Sequence, residues 1–242
     1  MPASVSENGR GSQSSALERA IDLLRGGLRP DGTYDEAGEG EVAGHQWRVL
    51  NSWCCGNGLI VSESLVPERH GGREHDVLFC SERSRWIKFT KLHTAGYAVE
   101  VLDEKQLLML PATPLQYLER WKSHNSLFGD DVEFLGIKGD ARLVISQRHA
   151  PGGDATWNEI EETFVNKAGM QELPLDGTFG GYESRAYFRG RVAVFDVRPQ
   201  NCVRITGTDE LFPIDVIPMH LTHGEALIFK DIVSGQQRMK LA

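Results

Sequence analysis

The chain has 242 residues, 40% of them hydrophobic, and a net charge of −8 from 26 Lys and Arg against 34 Asp and Glu. This is enough apolar material for one large domain or one two-lobed unit, while the acidic balance and scattered basic residues argue against a nucleic-acid surface. Cys54, Cys55, Cys80 and Cys202 form no Cys-x2-Cys pair, the His residues lack ligand spacing, and there is no 18-residue apolar span or apolar leader region; a structural zinc site and a membrane partner are therefore not expected, and a reducing, cytoplasmic setting is.

The first 14 residues are polar and read as disordered. Ala16 to Leu24 predicts a short amphipathic helix ended by Gly26-Gly27, and Asp31 to Gly44, rich in Gly and acidic residues, a linker. Residues 1–44 thus read as a flexible extension with one short helix. His45 to Trp53 predicts a second helix. This N-terminal part either packs on the remainder of the chain or docks a partner, and packing is the default reading.

Gly71-Gly72, within His70 to His75, allows a backbone to come close to a phosphate and equally suits a plain turn. Val77 to Phe79 and Trp86 to Phe89 predict two strands joined by a polar turn. Lys88, between Ile87 and Phe89, points to the face opposite theirs. That suits a Lys facing a cleft, and also a solvated Lys on a half-exposed strand. Residues 96–110 predict a strand pair. Thr113 caps a predicted helix that opens at Pro114 and closes at Gly129, with Leu118, Trp121 and Phe128 on one face. Glu119 stands one position off that face; Asn125 falls inside it.

Val132 to Ile137 and Ala141 to Ser146 predict a further hairpin, left by the irregular segment Gln147 to Gly153. Thr156 caps a predicted helix running from Trp157 to about Ala168 and ended by Gly169. Cys202 to Ile205, the turn Thr206 to Glu210, and Leu211 to Asp215 predict a last hairpin. It would bring Asp215 beside Asn201, itself five residues after Asp196.

Two carboxylates and an amide suit phosphoryl transfer. One carboxylate meets a hydroxyl nucleophile; the other and the amide oxygen hold Mg²⁺, a hard cation that prefers oxygen ligands. Asp and Asn beside Pro and Gly are also ordinary turn formers. Asp196, Asn201 and Asp215 resemble the catalytic loop and metal-binding Asp of protein kinases.

Several stretches are similar to the serine/threonine/tyrosine kinase-like domain of polyvalent proteins in phages and mobile elements. They are residues 71–75, 86–90, 125–131, 145–147, 195–201 and 213–215. The resemblance implies an α+β, abbreviated two-lobed protein-kinase-like fold: residues 45–146 would hold the extension helix and a small antiparallel-sheet N-lobe with one helix, and residues 147–242 the hinge and a reduced C-lobe. It implies Lys88 as the phosphate contact, Asp196 as catalytic base, and Asn201 and Asp215 as metal ligands. Gly71 and Gly72 would cover phosphates. Glu119, or alternatively Asn125, would partner Lys88. Adenine would lie at Gln147 to His149. Val194-Phe195 replace the usual His-Arg, Val216-Ile217 follow Asp215, and 27 residues remain after it.

The expected activity is transfer of the γ-phosphate of ATP, with Mg²⁺ or Mn²⁺, to a protein or small-molecule hydroxyl. The alternatives are a pseudokinase serving as a nucleotide-binding or protein-interaction module and, more remotely, a metal-dependent hydrolase.

Overall fold

The computed structural model describes residues 15–27, 39–70, 72–103, 106–139, 141–178, 181–235 and 239–241. Its elements in chain order begin with α1 (Ala16–Arg25), α2 (Glu39–Gly56), β1 (Ile60–Val61), β2 (His75–Cys80), β3 (Arg85–Thr90), β4 (Tyr97–Val101) and β5 (Gln106–Pro111). The next are α3 (Pro114–Phe128), β6 (Glu133–Lys138), β7 (Arg142–Arg148), β8 (Gly152–Asp154) and α4 (Trp157–Glu161), which runs into a π-helical turn at Glu162–Lys167. Then come β9 (Gln171–Leu173), β10 (Leu175–Asp176), β11 (Arg185–Arg189), β12 (Val192–Val197), a 3-10 turn at Pro199–Asn201, β13 (Cys202–Ile205), β14 (Leu211–Pro213), β15 (Ile217–His220), α5 (His223–Gly235) and β16 (Met239–Leu241). The class is α+β.

A five-stranded sheet, ordered β1-β6-β7-β3-β2, is antiparallel except where β1 joins β6. Three helices cover one face. Helix α1 forms because Ser15 and Glu18 close a capping box and Leu17, Ala20, Ile21 and Leu24 recur at helical spacing. All four are buried with Trp121 and Tyr117 of α3 and Phe134 and Ile145 of the sheet, so this helix packs as core. Helix α3 starts as expected, with Thr113 and Gln116 in a capping box and Pro114 in its first turn, and ends at a left-handed Gly129. Ile87, Phe89 and Val144 pack on the opposite face of the sheet.

The remaining strands form two four-stranded sheets, β15-β12-β11-β9 and β10-β16-β5-β4, and a small β14-β13-β8 sheet. The β4–β5 hairpin pairs with β16. Its Val99 and Leu107 share a core with Phe195, Ile217 and Phe229. Packing therefore ties residues 97–111 to the C-terminal elements, although the chain lays them down between β3 and α3. The expected hairpin of β13 and β14 forms with Cys202 opposite Pro213.

Candidate functional site

Strand β3 places Lys88 opposite Val77 and Ile145, with its side chain turned away from Phe89 and toward α3. The side chain is almost wholly buried. Its Nζ donates to the Ile214 carbonyl at 2.8 Å, stands 3.6 Å from Asp215 Oδ1, and lies 5.0 Å from the centre of the Trp121 ring. Burial pulls the Lys88 pKa down, and Asp215 opposes that shift.

Asp196 sits one residue before the end of β12 with φ 52, a left-handed conformation that costs energy for a residue with a Cβ. The turn after β12 lets Asn201 fold back beneath it. The Asn201 amide nitrogen donates to the Asp196 carbonyl at 2.8 Å, to Asp196 Oδ2 at 2.9 Å and, more weakly, to the Asp215 carbonyl at 3.3 Å. The Ile214 N–H in turn donates to the Asn201 carbonyl at 2.8 Å. The register of β13 on β14 thus delivers Asp215 beside Asn201. Burial pushes the Asp196 pKa up to about 6, with Arg198 pulling down and the Asp215 charge pushing up.

Asp215 faces two cations and an imidazole. Beside Lys88, Arg120 Nη2 stands 3.6 Å and His75 Nδ1 3.7 Å from its Oδ1. Burial pushes its pKa up, but Lys88, then His75 and Arg120, outweigh it and bring the carboxyl to about 2. Glu74 accepts from Arg120 Nη1 at 2.5 Å and from the Tyr97 N–H at 3.2 Å. Gly96 makes room for it: a Cβ there would lie 1.8 Å from Glu74 Oε1. His75 is within hydrogen-bond distance of the Tyr117 hydroxyl, 2.9 Å from Nε2, and burial lowers its pKa to about 4, so the ring is neutral.

The structure brings Lys88, Asp196, Asn201 and Asp215 together and places the other expected residues differently. Glu119 does not partner Lys88; it accepts from Arg25 Nε of α1 at 2.8 Å, on the rim of α3. Asn125 does not partner Lys88 either, because its amide is closed on the backbone of Val132 at 2.8 and 2.9 Å. The reason is helical phase: Tyr117, Arg120, Trp121 and His124 form the inward face, so Arg120 takes the position and Glu74, just before β2, supplies the negative charge. Gln147 is buried and donates to Asp130 Oδ2 at 2.7 Å, which corrects its expected role at an open hinge. His149 donates its backbone N–H to the Ser84 carbonyl at 2.9 Å, and its Nδ1 accepts from Trp86 Nε1 at 3.1 Å. Gly71 lies outside the described residues. Gly72 approaches the His75 carbonyl so closely that a Cβ would sit 2.8 Å from it.

A cleft of about 480 Å³ opens above these groups, lined by Gly72, Arg73, Tyr182, Asp196, Arg198 and Asp215 among others. Lys88 and Asn201 are not part of its lining; they support it from beneath. Asp196 Oδ1 and Asp215 Oδ1 are buried without a hydrogen-bond partner, and the Asn201 amide nitrogen is committed to Asp196 and Asp215. Asp215 Oδ1 and the Asn201 side-chain oxygen are of the hard-oxygen type a divalent cation takes, while Lys88 and Arg120 each stand 3.6 Å from Asp215 Oδ1. Glu74, His75 and Asp215 also present ligand atoms within 4.8 Å of one another, but Arg120 already bonds Glu74 and faces Asp215. Hydrophobic periodicity could not reveal Glu74, His75, Arg120 or Arg198, since their partners are remote in sequence or polar.

Among the described residues no helix is long and apolar enough to cross a membrane. A scan of protein-family models, a search of curated proteins and a search of solved structures each find no match to the chain.

Proposed function

We propose that the chain is a phosphotransferase of the kinase-like class, using ATP with Mg²⁺ or Mn²⁺ on an abbreviated two-lobed scaffold, and acting on a protein or small-molecule hydroxyl. One observation carries the reading: Asn201 ties Asp196 to Asp215 while Lys88 faces Asp215 from the opposite half of the chain. A turn would need none of these four groups to converge, and Asp196 Oδ1 and Asp215 Oδ1 are buried with no hydrogen bond, their charged neighbours standing 3.6 Å away or more.

In this reading Asp196 Oδ1 accepts the proton of the attacking hydroxyl. Asn201 fixes the Asp196 carboxylate through its other oxygen. Asn201 and Asp215 would hold the metal, which when bound supplies positive charge against the nucleotide phosphates. Lys88 holds the Asp215 charge in place and shares the positive field. Calorimetric titration with MgATP tests the assignment. Lys88→Ala and Asp215→Ala are expected to weaken binding by roughly tenfold or more, while Asp196→Asn leaves it within about twofold. MgATP binding that survives both alanine changes would overturn the site.

A second reading, a nucleotide-binding or protein-interaction module without turnover, is favoured by one specific feature. Arg120 and Lys88 each stand 3.6 Å from Asp215 Oδ1 and already supply the positive charge a metal would bring.

A further inference from the structure

We infer that the cleft contains an anion subsite built by Arg198 and Arg73 beside Tyr182, and that the group transferred is received by a small hydroxyl compound bearing a phosphate or carboxylate. This rests on the phosphotransferase reading above. The arginines that build the scaffold are hydrogen-bonded to protein partners: Arg85 to Asp131 and Ser146, Arg120 to Glu74, and Arg142 to Asp76. Arg198 and Arg73 are not. The Arg198 guanidinium makes no hydrogen bond with the described residues, and its buried Nε has only the ion pair with Asp196 Oδ1 at 3.6 Å. Arg73 is exposed at the lip of the same cleft, and its side chain has no ion pair or hydrogen bond among the described residues.

Arg198 is held ready. Its guanidinium carbon lies 4.5 Å from the centre of the Tyr182 ring, which fixes its plane, and with Nε turned to Asp196 its two Nη groups are left without a hydrogen bond among the described residues. A guanidinium with open donors suits the paired oxygens of phosphate or carboxylate. Its Nε stands 3.6 Å from Asp196 Oδ1, so an anion held there sets a neighbouring hydroxyl against the proposed base. Lys88 and Arg120 lie on the Asp215 side instead, and for that reason the anion is assigned to the acceptor and not to the nucleotide. The cleft volume of about 480 Å³ suits a small molecule.

In the transfer step the acceptor oxygen forms a bond to the γ-phosphorus. The bond from that phosphorus to its bridging oxygen breaks, and its electron pair leaves on the nucleoside diphosphate. The hydroxyl proton goes to Asp196.

The test is calorimetric titration of the full chain with glycerol 3-phosphate and with glycerol, without nucleotide, alongside titration with MgATP. Glycerol 3-phosphate is expected to bind at least roughly tenfold tighter than glycerol; Arg198→Ala and Arg73→Ala should each weaken it by about tenfold while shifting MgATP affinity by less than about twofold. Arg198→Lys, which keeps the charge and loses the fork, should lose less than Arg198→Ala. Equal binding of glycerol and its phosphate ester overturns the subsite. An equal loss of MgATP binding in both arginine variants also overturns it, by assigning the anion to the nucleotide. If MgATP fails to bind wild type while the ester still binds through the arginines, the subsite stands and the phosphotransfer reading falls.

Discussion

Lys88 and Asp215 form a 3.6 Å ion pair between the five-stranded sheet and the segment after the β13–β14 hairpin. The Lys is buried against Trp121, and the Asp lines the cleft. Because Lys88 also donates to the Ile214 carbonyl, the two halves of the site are joined by both charge and backbone.

Removing either partner should therefore reach beyond the cleft. Lys88→Ala is expected to lower the unfolding free energy by on the order of 2–4 kcal/mol, since it leaves a carboxylate with one fewer counter-charge. Urea denaturation measures this, and a double-mutant cycle with Asp215→Asn should return a favourable coupling. Strictly additive single changes would show that the pair carries no energy.

The elevated Asp196 sets a pH profile. A base must be ionised to accept a proton, so transfer should rise as pH increases through about 6, where burial has moved this carboxyl from its usual 3.8. A rate already flat from pH 5 upward would mean that another group limits the reaction.

His75 should make the fold acid-sensitive. Its folded pKa of about 4 lies below the ordinary 6.5. The unfolded chain therefore takes up a proton between those values that the folded chain refuses, and stability falls as pH drops from 6.5 toward 4, by up to about 3 kcal/mol. Glu74 and Asp215 face the ring and resist the shift; burial dominates, with Lys88 and Arg120 adding to it. Asp196 acts with the opposite sign: its raised pKa lets the folded chain take up a proton between about 6 and 3.8. The difference between wild type and His75→Gln isolates the histidine, and the variant should be the less acid-sensitive of the two by thermal unfolding at about pH 5 and pH 7.

Glu119 and Arg120 are neighbours with unlike prospects. Glu119→Ala breaks a half-exposed pair with Arg25 and should change stability by less than about 1 kcal/mol, leaving MgATP binding untouched. Arg120→Met strips the buried Glu74 of its guanidinium and Asp215 of a nearby charge, and should cost on the order of 3 kcal/mol or more. Chemical denaturation of the two variants side by side checks the contrast.

These neighbours also mark the limit of what the sequence discloses. The hairpin at 202–215 was legible because its strands carry β-branched and aromatic residues and its turn contains Gly207, at φ 80. The two faces of β3 were legible from simple alternation, α1 from its amphipathic spacing and the glycines that end it, and α3 from Thr113, Pro114 and Gly129. The inward phase of α3 was not. Leu118, Trp121 and Phe128 suggested a narrow stripe, yet α3 is buried between α1 and the site, so its inner face widens to admit Arg120. A buried arginine looks like a surface residue until its partner is known, and Glu74 stands 46 residues away. Gln147 read as part of an open hinge because nothing local reveals its bond to Asp130. The strands β10 and β16 are too short for any periodicity and exist through pairing with β5 and each other.

The most direct test of the account is transfer of label from γ-labelled ATP, with Mg²⁺ or Mn²⁺, comparing wild type with Asp196→Asn. Wild type is expected to give labelled protein or labelled acceptor, and the variant a loss of roughly a hundredfold or more with MgATP binding retained. Absence of transfer by a wild-type chain that binds MgATP, or equal transfer by both chains, would contradict it.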